Sequence, residues 1–197
     1  MFTGIVEAFG KIASVEEKET NKIFWIESNI SHELKIDQSV SHSGVCLTVD
    51  ALQDGAHRVT TVAETLLKTN LGDWVENSLV NLERCMPMNG RIDGHIVQGH
   101  VDATAICLEQ KDLHGSWEYT FLFDEQFAPL MIEKGSVCVN GISLTAYNVG
   151  DNTFTVSIIP YTYEHTNIQQ VVKDSVVNIE FDMIGKYINR IHSLQNR

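Results

Sequence analysis

Short apolar runs separated by turn residues dominate the chain. Residues 23–26 and 117–123 are rich in β-branched and aromatic side chains, and signals such as the Gln-Asp-Gly of residues 53–55 separate the runs. This spacing is typical of many short strands, the first of which is predicted over residues 2–15. Since few helical patterns interrupt them, the sequence indicates an all-β protein made of sandwiches or barrels. Short helices are predicted only over residues 63–71, 126–132 and 162–170.

The second half of the chain repeats the first. Residues 39–48 recur 97 positions later as residues 136–145, with Ser143 opposite Cys46. Further pairs of residues keep the offset of 97. At the start of each repeat, Gly4 matches Gly99 with an offset of 95, which is two residues shorter. The repeat predicts two copies of one fold, over residues 1–86 and 91–182, with the boundary in a Pro- and Gly-containing stretch. The further matched pairs are Thr65 with Thr162, Thr69 with Thr166, Asn70 with Asn167, Val80 with Val177, Asn81 with Asn178 and Glu83 with Glu180.

The last segment, residues 183–197, lies outside both repeats. Its apolar residues recur every three or four positions, which predicts a helix with one apolar stripe. The stripe would pack either on its own domain or on other copies of the chain, and we favour an oligomerisation helix because three such stripes could bury one another. The stripe consists of Ile184, Tyr187, Ile188, Ile191 and Leu194.

Charge and composition restrict the partners. The chain has 197 residues and a net charge of −12 at pH 7, which disfavours nucleic acids and anionic membranes as partners. The N-terminal residues lack a signal-peptide pattern and no window is apolar enough to span a membrane, so a cytoplasmic location is predicted. The four cysteines show no Cys-x-x-Cys spacing, which favours free thiols over a disulfide framework or a zinc ribbon.

Several polar residues of the repeats are candidates for chemistry. Cys46 and Thr48 would share one face of a strand, as would Ser143 and Thr145. Such groups often satisfy nearby backbone, but their occurrence in both halves favours a ligand-facing role. Thr65 and Thr162 would be either ordinary helix caps or the rims of two pockets.

Two histidines, His95 and His100, lie in a run bounded by Gly94 and Gly99. On a strand they would point to opposite faces, which disfavours a metal site. Ordinary hydrogen-bonded histidines are the alternative, but the flanking glycines would allow the backbone to approach a ligand closely.

Together these motifs resemble the riboflavin synthase family. The resemblance covers nearly the whole chain and is carried by MFTGIV at residues 1–6, GVCLT at 44–48, GHIVQGH at 94–100 and NGISLT at 140–145. It implies two tandem six-stranded Greek-key antiparallel barrels, with residues 1–86 and 91–182 each binding one lumazine, and a trimerisation helix over residues 183–197. The productive site would lie between the N-terminal barrel of one subunit and the C-terminal barrel of its neighbour.

The resemblance also implies site residues. Lys134 would contact ligand across the subunit boundary. Ser43, where the family usually has Asn, would alter contacts to the ribityl chain, as would Tyr161. The first lumazine would be bound by Gly4, Ile5, Val6, Cys46, Leu47, Thr48, Thr60, Thr61, Val62, Ala63, Glu64 and Thr65. The second would be bound by Gly99, His100, Val101, Ser143, Leu144, Thr145, Ile158, Ile159, Pro160, Tyr161, Thr162 and Tyr163.

The implied activity is the dismutation of two 6,7-dimethyl-8-ribityllumazine molecules to riboflavin and 5-amino-6-(D-ribitylamino)uracil. His100 would act as a base or proton shuttle, and Cys46, Ser143 and Thr145 would complete the catalytic set. No cofactor or metal is expected, because holding two reactants face to face supplies much of the rate. The resemblance names lumazine synthase as a further partner. The rival hypothesis is a lumazine- or flavin-binding antenna protein without catalysis.

Overall fold

The first half of the chain forms a closed antiparallel barrel of six strands. The computed structural model describes residues 1–195. The strands are β1 Ala8–Lys18, β2 Asn21–Glu27, β3 Ser39–His42, β4 Val45–Gln53, β5 Ala56–Thr61 and β6 Leu79–Arg84. Around the first barrel the strand order is β1-β2-β5-β4-β3-β6. Because β2 pairs with β5 and not with β3, the connection between β2 and β3 crosses the barrel end, as in a Greek key.

The second half repeats this architecture. Its strands are β7 Ala103–Asp112, β8 Trp117–Leu122, β9 Ser136–Val139, β10 Ile142–Tyr147, β11 Thr153–Ile158 and β12 Val176–Phe181. They form a closed barrel in the order β10-β11-β8-β7-β12-β9, which is the same circular order as in the first barrel with each strand number raised by six. The prediction of two six-stranded antiparallel barrels related by internal duplication is therefore confirmed.

Each barrel is filled by its own apolar core. Phe24, Val59 and Leu82 are fully buried in the first barrel, and Phe121 and Phe154 in the second. Inward residues alternate with outward ones along each strand, as the period of a β-strand requires. Because side chains fill both interiors, ligands have to bind outside the barrels.

The helices are short except for the last. α1 spans Ala63–Lys68, α2 spans Pro160–His165 and α3 spans Met183–Gln195. The predicted helix over residues 126–132 is instead a 3₁₀ segment, Glu125–Leu130, and Pro129 within it lacks the N–H that an α-helix would use. Residues 196–197 of the predicted C-terminal helix lie outside the described residues.

One predicted helix follows the fifth strand of each repeat, over residues 63–71 and 162–170, and the structure interrupts both of them. Thr69 and Thr166 adopt extended backbone, and each caps a following 3₁₀ segment, Asn70–Asp73 or Asn167–Gln170. Each threonine hydroxyl also donates to a carbonyl four residues earlier, at Thr65 or Thr162, over 2.7 Å. The hydroxyls thus divide each predicted helix into an α turn and a 3₁₀ turn.

The prediction of a first strand over residues 2–15 is wrong at its start. β1 begins at Ala8, and Gly4 has a φ of +74°, a value that ends a strand. Phe2 instead forms an antiparallel bridge with Val97, at the front of the second repeat. The leading segments of the two repeats therefore pair with each other before each enters its barrel.

Buried asparagines join the two barrels. The side-chain amide of Asn81 donates to Asn167 Oδ1 over 2.8 Å, and Asn81 Oδ1 accepts from Asn167 N over 2.7 Å. In the matching position of the other repeat, Asn178 Oδ1 accepts from Asn70 N over 2.8 Å. Since an unpaired buried amide is costly, these reciprocal bonds hold the barrels in one relative orientation.

Ser43 belongs to this interface. Its carbonyl accepts from Asn178 Nδ2 over 2.9 Å, and the carbonyl of Asn140, the matching residue, accepts from Asn81 Nδ2 over 2.8 Å. The buried side chain of Ser43 bonds within the interface between the barrels, so its expected effect on contacts to a ribityl chain would be indirect.

α3 has no buried residue, and its apolar stripe is exposed along its length. It lies near the 3₁₀ segment Glu125–Leu130, and an apolar groove between them is lined by Leu130, Ile132, Ile184 and Ile188, among others. Over residues 1–195, no helix combines the length and the apolar character needed to cross a membrane.

Two histidines are hydrogen-bonded inside the first barrel. His42 Nδ1 is 3.0 Å from the Val40 carbonyl, His42 Nε2 is 2.9 Å from His57 Nε2, and His57 Nδ1 is 2.8 Å from Ser31 Oγ. Because the Val40 carbonyl needs a donor, His42 Nε2 accepts from His57 and His57 Nδ1 accepts from Ser31. Both rings are thereby neutral, and burial lowers the pKa of His42 to about 3 and that of His57 to about 4.

This pair predicts acid sensitivity of the first barrel. A histidine whose folded pKa lies below its unfolded value of 6.5 contributes stability above pH 6.5, and that stability is lost as the pH falls toward the folded value. We expect each histidine to lower the free energy of unfolding by up to about 1.4 kcal/mol per pH unit between pH 6 and 4.5.

The measurement is denaturant unfolding of the wild type and His57→Gln over this pH range, with exposed His114→Gln as the control. The wild type and the control should lose stability more steeply than His57→Gln. Buried carboxylates such as Glu83, whose pKa is raised, change the pH dependence of stability in the opposite direction. They are the same in all three proteins, so the difference between the slopes reports the histidine alone. Equal slopes for all three proteins would contradict the assignment.

Candidate functional site

Two pockets lie on the outer surfaces of the barrels, at matching positions. We call them the N-barrel pocket and the C-barrel pocket, with volumes of about 290 and 610 Å³. The N-barrel pocket is lined by Val45, Cys46, Glu64, Thr65, Lys68, Thr69, Gly99, His100 and Val101. The C-barrel pocket is lined by Lys134, Ser143, Leu144, Thr145, Tyr147, Ser157, Ile159 and Thr162.

The strand period explains why Cys46 faces outward. Along β4, Val45, Leu47 and Val49 are buried in the core, whereas Cys46 is partly exposed and Thr48 exposed. The matching strand β10 leaves Ser143 partly exposed and Thr145 exposed. The repeat therefore presents a thiol in one pocket and a hydroxyl in the other.

The leading segments of the repeats cross between the barrels. Gly99, from the second half, accepts a hydrogen bond on its carbonyl from Cys46 N over 2.8 Å. Gly4, from the first half, accepts one from Ser143 N over 2.8 Å. Val101 packs on the core of the first barrel and Val6 on that of the second. The segment around Gly99 thus borders the N-barrel pocket, and the segment around Gly4 contacts Ser143, which lines the C-barrel pocket.

This crossing corrects the expected division of binding residues. Gly99, His100 and Val101 border the pocket of Cys46, not that of Ser143. Gly4 and Val6 lie against the second barrel, not the first. Ile5, between them, is exposed at 46%.

Glycine is required at both crossings. A Cβ on Gly99 would lie 2.6 Å from Cys46 Cβ, and a Cβ on Gly4 would lie 2.6 Å from Ser143 Cβ. Both glycines also have a positive φ, of +78° and +74°. A larger residue would push the segment away from the pocket residue that it contacts.

Two buried carboxylates hold the crossing segments. Glu83, in β6, accepts from Thr3 N over 2.7 Å, from Thr3 Oγ1 over 2.8 Å and from Gly4 N over 3.0 Å. Glu180, in β12, accepts from Gln98 N over 2.7 Å and from Gly99 N and His100 N over 2.8 Å each. Burial raises the pKa of both carboxyls, although these hydrogen bonds oppose the rise. The sequence marks both residues only as a matched pair of the repeat.

Cys46 and Ser143, the pocket residues that differ between the repeats, each have a histidine nearby. His100 lines the N-barrel pocket together with Cys46. His95 Nδ1 is 2.6 Å from Ser143 Oγ, and burial lowers the pKa of His95 while the nearby Asp182 opposes this shift. His95 was not among the expected site residues. Its signal in the sequence is the run bounded by Gly94 and Gly99.

The Cys46 thiol is protonated at neutral pH. Burial raises its pKa, although a hydrogen bond with Ser39 opposes this. A neutral thiol donates a weak hydrogen bond and is a poor nucleophile. Cys46 is therefore better suited to contacting a ligand than to attacking it from the free state.

The C-barrel pocket contains a cation. Lys134 Nζ lies 4.8 Å from the centre of the Tyr147 ring, and the Tyr147 hydroxyl bonds with Ser157 Oγ over 2.9 Å and with the Glu118 carboxylate. In the first barrel, Thr60 Oγ1 instead donates to Asp50 over 2.5 Å, and Arg58 pairs with the same carboxylate. The N-barrel pocket is lined by both Lys68 and Glu64, so the two pockets differ in their charged residues as well as in the thiol and hydroxyl.

The remaining expected site residues fall into three groups. The side chains of Leu47, Thr61 and Ile158 are buried and lie on the inward faces of their strands, so the expected ligand contact of these three residues would be made by their backbone. Tyr163 stacks on Trp117 at 3.8 Å. The other expected residues lie exposed where α1 and α2 begin: Val62, Ala63, Pro160 and Tyr161.

Within residues 1–195, no group of three or more His, Cys, Asp or Glu side chains is arranged to hold a metal ion. The four cysteines are free thiols.

Comparisons with known proteins agree with the duplicated fold. The family model described as "Lumazine binding domain" matches residues 3–85 and 98–182. The riboflavin synthase of Actinobacillus pleuropneumoniae is 39% identical over 96% of this chain and 89% of its own length. That of Bacillus subtilis is 38% identical over the same shares, and that of Mycobacterium tuberculosis is 39% identical over 97% of this chain and 98% of its own.

Solved structures show the same architecture. LumP complexed with riboflavin superposes with a TM-score of 0.86 at 18% identity, covering 92% of this chain and 99% of LumP. LumP complexed with 6,7-dimethyl-8-(1'-D-ribityl) lumazine gives a TM-score of 0.83 over the same shares. At this identity the likeness concerns the fold alone, whereas the relatives above share more than a third of their residues with this chain. The chain is therefore an enzyme that belongs to the riboflavin synthase family and is built from two lumazine-binding domains.

Proposed function

We propose that the chain converts two molecules of 6,7-dimethyl-8-ribityllumazine into riboflavin and 5-amino-6-(D-ribitylamino)uracil. The observation that carries the proposal is the pair of matching pockets: Cys46 and His100 line one, and Ser143, which bonds to His95, lines the other. One molecule gives a four-carbon unit and the other accepts it. Two pockets of the same origin suit two copies of one substrate, and their different polar groups suit opposite roles.

The proposed chemistry begins with proton removal. One lumazine loses a proton from its C7 methyl group and becomes a carbon nucleophile, while C7 of the other lumazine is attacked. A histidine suits proton transfer near neutral pH. His100 lines the N-barrel pocket, and His95 bonds to Ser143 of the C-barrel pocket. His95, whose pKa is lowered, remains neutral and bonded to the Ser143 hydroxyl. That pair would hold or move a proton beside the ligand of the second barrel.

The productive site would require two subunits. Both pockets are open to solvent on the surface of one chain, and the exposed stripe of α3 requires a partner surface. We propose that α3 joins three chains, so that the N-barrel pocket of one faces the C-barrel pocket of the next. Lys134 lines the pocket of its own barrel, from which its ammonium group would also reach a ligand at the subunit boundary.

The rival function is that of a non-catalytic antenna protein. It would require ligand binding without turnover. The retained polar set supports the enzyme, because Cys46, Thr48, His100, Ser143 and Thr145 are all present, together with His95.

Turnover of the lumazine alone distinguishes the two functions. The purified protein is incubated with 6,7-dimethyl-8-ribityllumazine, and riboflavin is followed by absorbance and chromatography. We expect riboflavin to form, and His100→Gln and His95→Gln each to lower the rate by about 10²-fold, the usual scale for loss of a proton-transfer group. His114→Gln, in the exposed turn between β7 and β8, serves as the control. A wild type that binds the lumazine without forming riboflavin would establish the antenna function instead.

Disrupting the stripe of α3 should separate binding from turnover. Ile188→Glu places a charge on the stripe, and Arg190→Glu places one beside it as the matched control. We expect Ile188→Glu to sediment as a monomer that binds riboflavin but forms little product, whereas the control stays trimeric and active. Deletion of residues 183–197 should act like Ile188→Glu. An active monomer would refute a site shared between subunits.

A further inference from the structure

The two buried carboxylates connect each barrel to the pocket of the other. Glu180 belongs to β12 of the second barrel, yet the segment that it holds, residues 98–100, borders the N-barrel pocket. Glu83 belongs to β6 of the first barrel, yet Gly4, which it holds, contacts Ser143 in the second. We propose that Glu180 and Glu83 are positioning residues, each of which fixes the geometry of the pocket in the opposite barrel.

The Glu180 connection has three steps. Its carboxylate receives the amides of Gln98, Gly99 and His100, which fixes the backbone of this segment. The Gly99 carbonyl then receives Cys46 N over 2.8 Å. The His100 side chain continues from the same backbone into the N-barrel pocket. Loss of the carboxylate would therefore displace both the thiol strand and the histidine of that pocket.

The Glu83 connection repeats these steps in the other direction. Its carboxylate receives the amides of Thr3 and Gly4 and the Thr3 hydroxyl. The Gly4 carbonyl receives Ser143 N over 2.8 Å. The Thr3 carbonyl receives His95 N over 3.1 Å, so the same segment also fixes the histidine that bonds to Ser143.

Only a carboxylate suits these positions. Each receives three N–H or O–H donors on two oxygens, and both are buried, so no solvent replaces a lost bond. Glutamine has the same shape, but its amide group would direct N–H toward donors that also need an acceptor. Glu→Gln therefore replaces one of the two accepting oxygens by a donor and breaks at least one of the three bonds, while leaving the volume of the side chain nearly unchanged.

Each carboxylate holds a segment that contacts the other barrel, and this arrangement makes a positioning role distinguishable from a structural one. A carboxylate that only stabilised its own barrel would disturb the pocket of that barrel, or both pockets equally. A positioning residue disturbs the opposite pocket. The inference rests on the proposed function only in the choice of riboflavin as a probe.

The experiment compares full-length Glu180→Gln and Glu83→Gln with the wild type. Glu109→Gln is the matched control, since Glu109 is exposed, pairs with Lys111 and holds neither segment. Proteins labelled with ¹⁵N-cysteine and ¹⁵N-serine are titrated with riboflavin, and the amides of Cys46 and Ser143 report the two pockets separately. The exchange of the same two amides with deuterated solvent is measured without ligand.

We expect Glu180→Gln to weaken riboflavin binding at the Cys46 pocket by about tenfold, the scale of one hydrogen bond to a charged group, with less than a twofold change at the Ser143 pocket. Glu83→Gln should give the reverse. Without ligand, Cys46 N should exchange faster in Glu180→Gln, and Ser143 N faster in Glu83→Gln. Glu109→Gln should match the wild type in every measurement.

The two readouts separate failure of this inference from failure of the proposed function. A wild type whose amides do not respond to riboflavin would count against the proposed function, and the exchange rates would still decide the inference. Effects confined to the barrel that carries the substitution, equal effects on both pockets, or unchanged exchange at Cys46 and Ser143 would each overturn it.

Discussion

The arrangement of both pockets depends on the need to satisfy two buried carboxylates. A buried carboxylate is costly unless donors surround it, and Glu83 and Glu180 receive theirs from the leading segments of the repeats. Those segments are thereby held against the barrels at positions where their glycines contact Cys46 and Ser143. Removing the donors would leave two unpaired buried charges. The pocket geometry and the stability of the fold therefore depend on the same hydrogen bonds.

The two barrels form one unit because their contact is polar and reciprocal. Asn81 bonds with Asn167 across the interface, and Asn178 bonds with Asn70. An apolar contact between two barrels would tolerate sliding, but buried amides are satisfied in only one register. That register keeps Gly4 beside Ser143 and Gly99 beside Cys46. The barrel interface thus defines the shape of sites that lie away from it.

Duplication gave two pockets of similar geometry, and substitution made them chemically unequal. Cys46 corresponds to Ser143, and the surroundings differ as well, since Lys134 lines one pocket while Lys68 and Glu64 both line the other. A neutral thiol with His100 and a hydroxyl with His95 differ in the hydrogen bonds they offer a ligand. Identical ligands in these pockets would therefore experience different electrostatic environments.

The sequence by itself determined the repeat, the all-β class and the outward faces that carry Cys46 and Ser143, because strand period and repeat offset can be read along the chain. The number of six strands per barrel and their Greek-key order followed from the resemblance to a family. It also marked Glu83, Glu180 and the asparagines as matched pairs, although it gave them no role. Only the tertiary structure decided which pocket each leading segment borders. An offset states that Gly4 and Gly99 are equivalent, but not which copy of the strand each contacts, since that depends on hydrogen bonds to residues about 50 to 140 positions away. The same reason explains why His95 was missed: its partner Ser143 lies 48 residues along the chain and only folding brings the two together.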